Sequence, residues 1–405
     1  MSNAPPLPRP ERVPSAPFTP GPFLRPVWAE INLAALRHNT RIALEKAGPA
    51  KVMAVVKADG YGHGLEPAAR AMLEAGAPWL AVATADEAKA LRALRGMERI
   101  PILVMAPTFP EEAEAVQRCD AAFSVGAVEL LRHHLEVARR RGGRARVHIQ
   151  LDTGIGRDGF RWDDFSYLDA FRGAEEHFEG LFTHFSCSDS DDEEKRAYTT
   201  LQIERFNRAI ERVREAGFRP FCHAANSAAL VSRTEECRYD GVRPGIMLYG
   251  IDPFGADYRR WGLRQVMRFA SRLSAVRTVE PGDPISYDRL WTVPSRRKIA
   301  VVPVGYGDGY MVALTNLSEV VVRGRRVPAR GRVCMDQFMV DLEDVPEARV
   351  GDEVVLYGRQ GDAEVPLEEV AKWARTIPYE IACGVLPRVP RVYTDDETAT
   401  GVPQQ

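Results

Sequence analysis

The sequence has no CxxC pair. Its six cysteines, Cys119, Cys187, Cys222, Cys237, Cys334 and Cys383, show no tight spacing. No metal site is expected from them. A chain of this size without an export signal is expected to keep them reduced in the cytoplasm. No apolar run approaches the length that spans a bilayer. The N-terminal "MSNAPPLPRPERVPSAPFTPGPF" lacks the apolar stretch of a secretory signal. It is rich in proline instead, and an extended, poorly ordered tail is expected over residues 1–25. A surplus of one charge is also missing. The formal net charge is −2, so neither nucleic acid nor an anionic membrane is expected as partner. Tandem repeats are not visible either.

What is present is an ordinary globular composition. Apolar residues make up 45% and charged residues 27% of 405 positions, and that length makes two domains the default. Between about residues 50 and 250, short apolar runs recur at "KVMAVV", "WLAVA", "PILVMA", "AAFSV", "RVHIQL", "EGLFTHF", "PFCHAA" and "VRPGIMLYG". Helical periods lie between most of them. "GLEPAARAMLEAG" sets Leu65, Ala68, Ala69 and Met72 on one face. "TADEAKALRALRG" opens with the capping-box pair Thr84 and Glu87. "DSDDEEKRAYTTLQIERFNRAIERVREAG" starts acidic, as a helix dipole prefers, and needs no metal to explain it. Eight strands alternating with helices predict an α/β fold, a (β/α)8 TIM barrel, over residues 26–265. After that the pattern turns to short, glycine-punctuated strands with almost no helical period. A mainly-β C-terminal domain is expected over 266–393, with a loose tail at 394–405.

Barrel enzymes build their sites at the C-terminal ends of the strands. Lys57 closes the first clear strand, in "AVVKADGYGHG". Arg157 follows the fifth, His184 ends the sixth, Asn226 and Ser227 lie past the seventh, and Arg243 falls within the eighth beside Gly245. Taken singly, His184 reads as a core histidine, Arg157 as a surface charge and Ser227 as a helix cap. Their shared placement on one rim points to a single site. A lysine amine suits a Schiff base with an aldehyde cofactor. A serine at a helix start and the amides after Gly245 suit a phosphate, in the usual place for a barrel phosphate site. Together these point to pyridoxal 5′-phosphate (PLP).

"AVVKADGYGHG" resembles the cofactor-lysine motif of alanine racemases. "LDTGIGR", "THF", "HAANSAAL", "RPGIMLYG", "PISYDRLW", "PVGYGDGY", "GRVCMDQ" and "TIPYEIACGVLPRVPR" resemble further segments of that family in the same order, from Trp28 to about Arg391. The resemblance implies a cytoplasmic isomerase that interconverts L- and D-alanine and supplies D-alanine for peptidoglycan. Lys57 would bind the cofactor and act as one base, and Tyr287 would be the second. Tyr61, Ser227, Tyr379 and the amides of Gly245 and Ile246 would hold the phosphate. Arg243 would face the pyridine nitrogen, with His184 supporting it and the second base. Arg157 and the Met335 main chain would orient the substrate carboxylate. Tyr306 and Asp336 would narrow the entrance. Tyr287 would come from the β domain of a second subunit, in a homodimer.

Two other readings fit the architecture. A racemase of serine or lysine differs only in pocket volume, which spacing does not measure. A PLP-dependent decarboxylase of this fold places a carboxylate opposite the ring nitrogen, where "GVRPG" puts Arg243. The chain also departs from the family pattern. Ile155 stands where methionine is usual, and Gly307 where alanine is usual. "GVLPRVPR" lacks the tyrosine often found before its arginine. Gln150 stands where many members have a lysine, often carbamylated to steady the arginine; its amide is expected to position Arg157.

Overall fold

The computed structural model describes residues 24–396. Residues 1–23 of the expected N-terminal tail and 397–405 of the C-terminal one lie outside the described residues. The eight predicted strands all form. They are Lys51–Val55, Trp79–Val82, Ile102–Pro107, Ala122–Val125, Val147–Asp152, Phe178–Thr183, Phe221–His223 and Gly241–Val242. Each pairs in parallel with its neighbours, and Gly241–Val242 returns to Lys51–Val55, which closes the barrel. The strand residues are almost continuously buried, as a parallel sheet covered by helices requires. Arg243 lies just beyond the eighth strand rather than within it. "PGIMLYG" turns into a 3-10 helix, Ile246–Tyr249, because Pro244 removes the next ladder donor.

The helices follow the predicted periods. Leu65–Glu74 buries Ala68, Ala69 and Met72. Ala85–Arg92 carries the Thr84–Glu87 capping box, and Glu193–Glu215 is the long acidic-start helix.

The second sheet is largely antiparallel and joins Met267–Arg272, Ala275–Val279, Arg297–Val302, Glu319–Val322, Arg325–Arg330, Phe338–Asp341 and Glu353–Gln360. Ala363–Val365 pairs with Glu353–Gln360, and the last two strands come from the two ends of the described chain. Val27–Asn32 pairs antiparallel with Met267–Arg272 and parallel with Arg391–Thr394. This first strand falls in the stretch expected to belong to the barrel, but it pairs with the β-rich half instead, and its Trp28 and Ile31 are buried. Two helices, Leu367–Ala374 and Pro378–Cys383, also interrupt the strands. Their apolar Leu367, Val370, Ala371 and Ala374 have helical spacing that a reading for strands passes over.

Arg25, expected at the end of a loose tail, is anchored. It donates to both carboxylate oxygens of the fully buried Asp308 and to the Pro303 carbonyl. Arg388 reaches the same carboxylate at 2.7 Å. All six cysteines are unpaired thiols.

Candidate active site

Lys57 follows the first barrel strand and opens a short, distorted turn, Lys57–Tyr61. Ala58, Asp59 and Tyr61 all take positive φ. Left-handed backbone costs about 1–2 kcal/mol per ordinary residue, so side chains must hold it. Glu87 Oε1 accepts from the Ala58 amide at 2.7 Å, and Asp59 Oδ1 accepts from the Leu65 amide at 2.7 Å. Gly62, at φ 80°, lies so near Ala382 that a Cβ would sit 2.4 Å from its carbonyl oxygen. The close turn therefore docks the lysine against the helix that carries Tyr379. The lysine's own pKa is lowered, by burial first and by the charge of Arg157 second.

A cavity of about 340 Å³ opens at this rim. Arg157, His184, Ser227 and Arg243 line it together with Lys57, so all five rim groups converge as the strand-end argument expects. Tyr61, Gly245, Ile246 and Tyr379 complete the lining named from the sequence. Asn226, not Ser227, caps the helix Ser227–Ser232, accepting from the Ala229 amide. Ser227 is left free to gather backbone: its Oγ accepts from the Gly245 amide at 2.9 Å and the Met247 amide at 3.4 Å. A Cβ on Gly245 would lie 2.5 Å from the Tyr61 hydroxyl. The missing side chain keeps backbone, serine and tyrosine within reach of one small anion. Burial raises the Tyr61 and Tyr379 pKa values well above the usual phenol range, so both hydroxyls stay neutral donors.

The support of Arg243 differs from expectation. Its Nη1 donates to His223 Nδ1 at 2.5 Å, and its Nη2 donates to the carbonyls of Thr183 and Ala224 at 2.7 and 3.0 Å. No hydrogen bond joins its side chain to His184. His223 braces it because that residue ends the seventh strand, directly beside the turn bearing Arg243. The quoted motif "HAANSAAL" begins with this histidine, so the signal was in the sequence. Burial and the charge of Arg157 lower Arg243 to about 9, which leaves it cationic at neutral pH. His184 is pushed down to about 3 by burial and by the charges of Arg243, Arg157 and Lys57, so it is a neutral imidazole there.

Gln150 also departs from expectation. No hydrogen bond joins its amide oxygen to Arg157, and its amide nitrogen donates to Asp158 Oδ1 and, at 3.3 Å, to the Asp158 carbonyl. Its amide oxygen accepts from Ser124 Oγ at 3.2 Å. Asp158 in turn stands 3.5 Å from Arg157 Nε. The carboxylate, absent from the sequence-based expectation, is the group that meets the arginine.

Tyr287, Tyr306, Met335 and Asp336 are not in this cavity. They lie on the β-rich half, where Tyr287 is 68%, Met335 53% and Tyr306 41% exposed. Tyr287 sits between Ser286 and Asp288, both at positive φ, with Arg289 following in the same conformation. Ser286 Oγ donates to the Arg332 carbonyl at 2.6 Å and Arg332 pairs with Asp288, so both sides of the strained turn are tied to "GRVCMDQ".

The alanine racemase N-terminal domain model matches residues 31–253, and the C-terminal domain model matches 266–393. The chain belongs to the alanine racemase family. It is 42% identical over 376 residues to an alanine racemase of Desulforamulus reducens, covering 91% of this chain and 99% of that one. A Symbiobacterium thermophilum alanine racemase is 43% identical over 373 residues, with 91% and 97% covered. Among solved structures, the alanine racemase of Streptomyces coelicolor A3(2) superposes with a TM-score of 0.86 at 37% identity, covering 91% of this chain and 98% of that one. The Bacillus anthracis alanine racemase with bound L-Ala-P does so at 0.84 and 35% identity, with 93% and 97% covered. The family's cofactor is PLP, and the cavity suits it. A lysine amine is present for the aldehyde, a buried guanidinium for the ring nitrogen, and two tyrosines, a serine and backbone amides for the phosphate.

Proposed function

We propose that the chain interconverts L- and D-alanine with PLP, using Lys57 and Tyr287 as bases on opposite faces of the substrate. The observation that carries this reading is the convergence of Lys57, Arg243 and the Ser227–Gly245 cradle in one cavity of cofactor size. When bound, the cofactor supplies the electron sink that acidifies the substrate's Cα–H. Burial and Arg157 lower the Lys57 pKa, which favours a neutral amine able to take or return a proton. Arg157 and the Met335 main chain hold the substrate carboxylate, while Tyr306 and Asp336 narrow the entrance. Tyr61, Ser227, Tyr379 and the Gly245 and Ile246 amides would hold the phosphate. Arg243 would donate to the ring nitrogen. A guanidinium that keeps its proton at neutral pH would not protonate the ring nitrogen, and so would restrain the ring as an electron sink and disfavour the side reactions of a stronger one.

One face needs one base, and removal plus return on opposite faces needs two. Tyr287 does not line the Lys57 cavity of its own chain and is strongly exposed, which supports its use by a second copy in a homodimer. Leu290, Leu317, Met335 and Tyr306 are exposed on the same half and would be covered there. The division into a barrel to about residue 265 and a β-rich unit to 393 belongs to this reading, and the two family models part between 253 and 266. A cytoplasmic role supplying D-alanine for peptidoglycan suits the six unpaired thiols. Chiral analysis after incubation of L-alanine, L-serine and L-lysine with PLP tests the proposal. D-alanine should form fastest; carbon dioxide release without any D-amino acid would instead identify a decarboxylase.

A further inference from the structure

Beneath the cavity a line of polar side chains crosses the barrel interior. From Arg243 Nη1 it runs 2.5 Å to His223 Nδ1, then from His223 Nε2 2.8 Å to His148 Nδ1. His148 Nε2 faces Glu179 Oε1 at 3.8 Å and has no closer hydrogen-bond partner among the described residues. Arg146 grips Glu179 through Nη2 at 2.7 Å and Nε at 2.9 Å. Both histidines are fully buried. Glu179 is the second residue of Phe178–Thr183, so the line starts at the rim and ends at the barrel floor. Space for it is specific. His148 pairs with Gly180, where a Cβ would fall 2.2 Å from His148 Nδ1.

Donor counting sets the direction of this line. Arginine has only donors, so His223 Nδ1 must accept. A neutral imidazole has one donor and one acceptor, so His223 carries its proton on Nε2 and donates it to His148 Nδ1. His148 then carries its own proton on Nε2, aimed at Glu179. In the opposite direction His148 Nδ1–H would donate to His223, whose Nδ1–H would meet the Arg243 donor head-on. The His148 lone pair would also face a carboxylate. Burial depresses both histidines, in agreement with neutral rings. Burial would raise Glu179, but His148 and Arg146 outweigh it and hold the carboxyl well below its usual range.

We propose that Glu179 is a positioning residue for the racemisation: from the barrel floor it selects the Nε2-protonated form of both histidines and so keeps an acceptor beneath Arg243. The inference rests on Arg243 as the partner of the cofactor ring nitrogen. Glu179 touches neither substrate nor cofactor. It acts through two imidazoles on the direction of a guanidinium.

The test is nitrogen-15 NMR of selectively histidine-labelled holoenzyme, with kinetics on the same samples. In the wild type, His148 and His223 should both be neutral and protonated on Nε2. A proton on His148 Nδ1 would overturn the proposal without any variant. In Glu179→Gln the side-chain amide can donate as well as accept, so the penalty on the opposite direction at the Glu179 end is lifted and only the clash at Arg243 still opposes it. His148 and His223 should then show a mixture of forms. The kcat for alanine should fall roughly three- to tenfold, the loss of about one ordinary hydrogen bond, with KM unchanged. Wild-type ring forms in the variant with a lowered kcat would mean a merely structural role. Altered ring forms with unchanged kcat would likewise overturn the positioning role. Failure of the wild type to make D-alanine would sink the proposed activity and leave the assignment of the ring protons intact.

Discussion

Asp158→Asn separates two ways in which Arg157 is held. The asparagine keeps the size of the side chain and its contact with Gln150, and removes only the charge 3.5 Å from Arg157 Nε. The arginine side chain is 58% exposed and the aspartate 26%, so solvent screens the pair. Exposed pairs of this kind are worth about 0.2–1 kcal/mol, which is roughly 1.4- to 5-fold in an equilibrium. Two effects oppose each other. Loss of the anion leaves Arg157 less fixed, yet strengthens its pull on a substrate carboxylate. With positioning dominant, KM for alanine rises about two- to fivefold, within that ceiling. Gln150→Ala should do the same, because its amide holds Asp158 rather than Arg157. The double variant should then match Asp158→Asn alone, since no charge is left at that position for Gln150 to aim at Arg157. Steady-state KM for both alanine enantiomers across this cycle is the assay. A KM that falls in Asp158→Asn, or single effects that multiply in the double variant, would refute the reasoning.

Other consequences are equally direct. Lys57→Ala should lose both racemisation and the visible absorbance of bound cofactor, and borohydride should fix the cofactor of the wild type to the Lys57 peptide; label on another lysine would contradict the assignment. Tyr287→Phe should bind cofactor normally but lose deuterium exchange from D2O at one face, by about 10²–10⁴-fold for a general base. Racemisation should not respond to bicarbonate, because Gln150 carries no amine to be carbamylated; activation would show another lysine at work. Burial acts to raise Asp308, and Arg25, the Gly305 amide and Arg388 overcome it and lower its pKa. A lowered folded value means its contribution is full above the unfolded value of about 3.9 and fades as pH falls through the lower folded one. Asp308→Asn should therefore cost about 1.5–3 kcal/mol in urea unfolding at pH 7, with a gap to wild type that narrows toward pH 3.

The barrel was legible because its eight strands are short apolar runs parted by capped helices, a pattern that local chemistry imposes. Placement at strand ends then collected Lys57, Arg157, His184, Ser227 and Arg243 into one rim, and the same five line one cavity. What escaped the sequence was whatever depends on which strands become neighbours. His148 and His223 are 75 residues apart and look like isolated polar positions in apolar strands until the closed barrel sets them in contact. Nothing in the sequence pattern singles out Asp158, and only the bend at 157–159 brings its carboxylate back to Gln150. Val27–Asn32 precedes the barrel in sequence, but its pairing partners lie more than 230 residues later. Arg25 was hidden by the prolines around it, since a low-order composition says nothing about one arginine meeting a buried aspartate.

The central claim is that Lys57 of one chain and Tyr287 of another share one site. Mixing Lys57→Ala with Tyr287→Phe after subunit exchange measures it directly. Each variant alone has no intact site. A two-fold heterodimer would hold one site with both lesions and one with neither, so random exchange should restore about a quarter of the wild-type rate. A mixture that forms heterodimers yet stays as inactive as its parents would contradict the account.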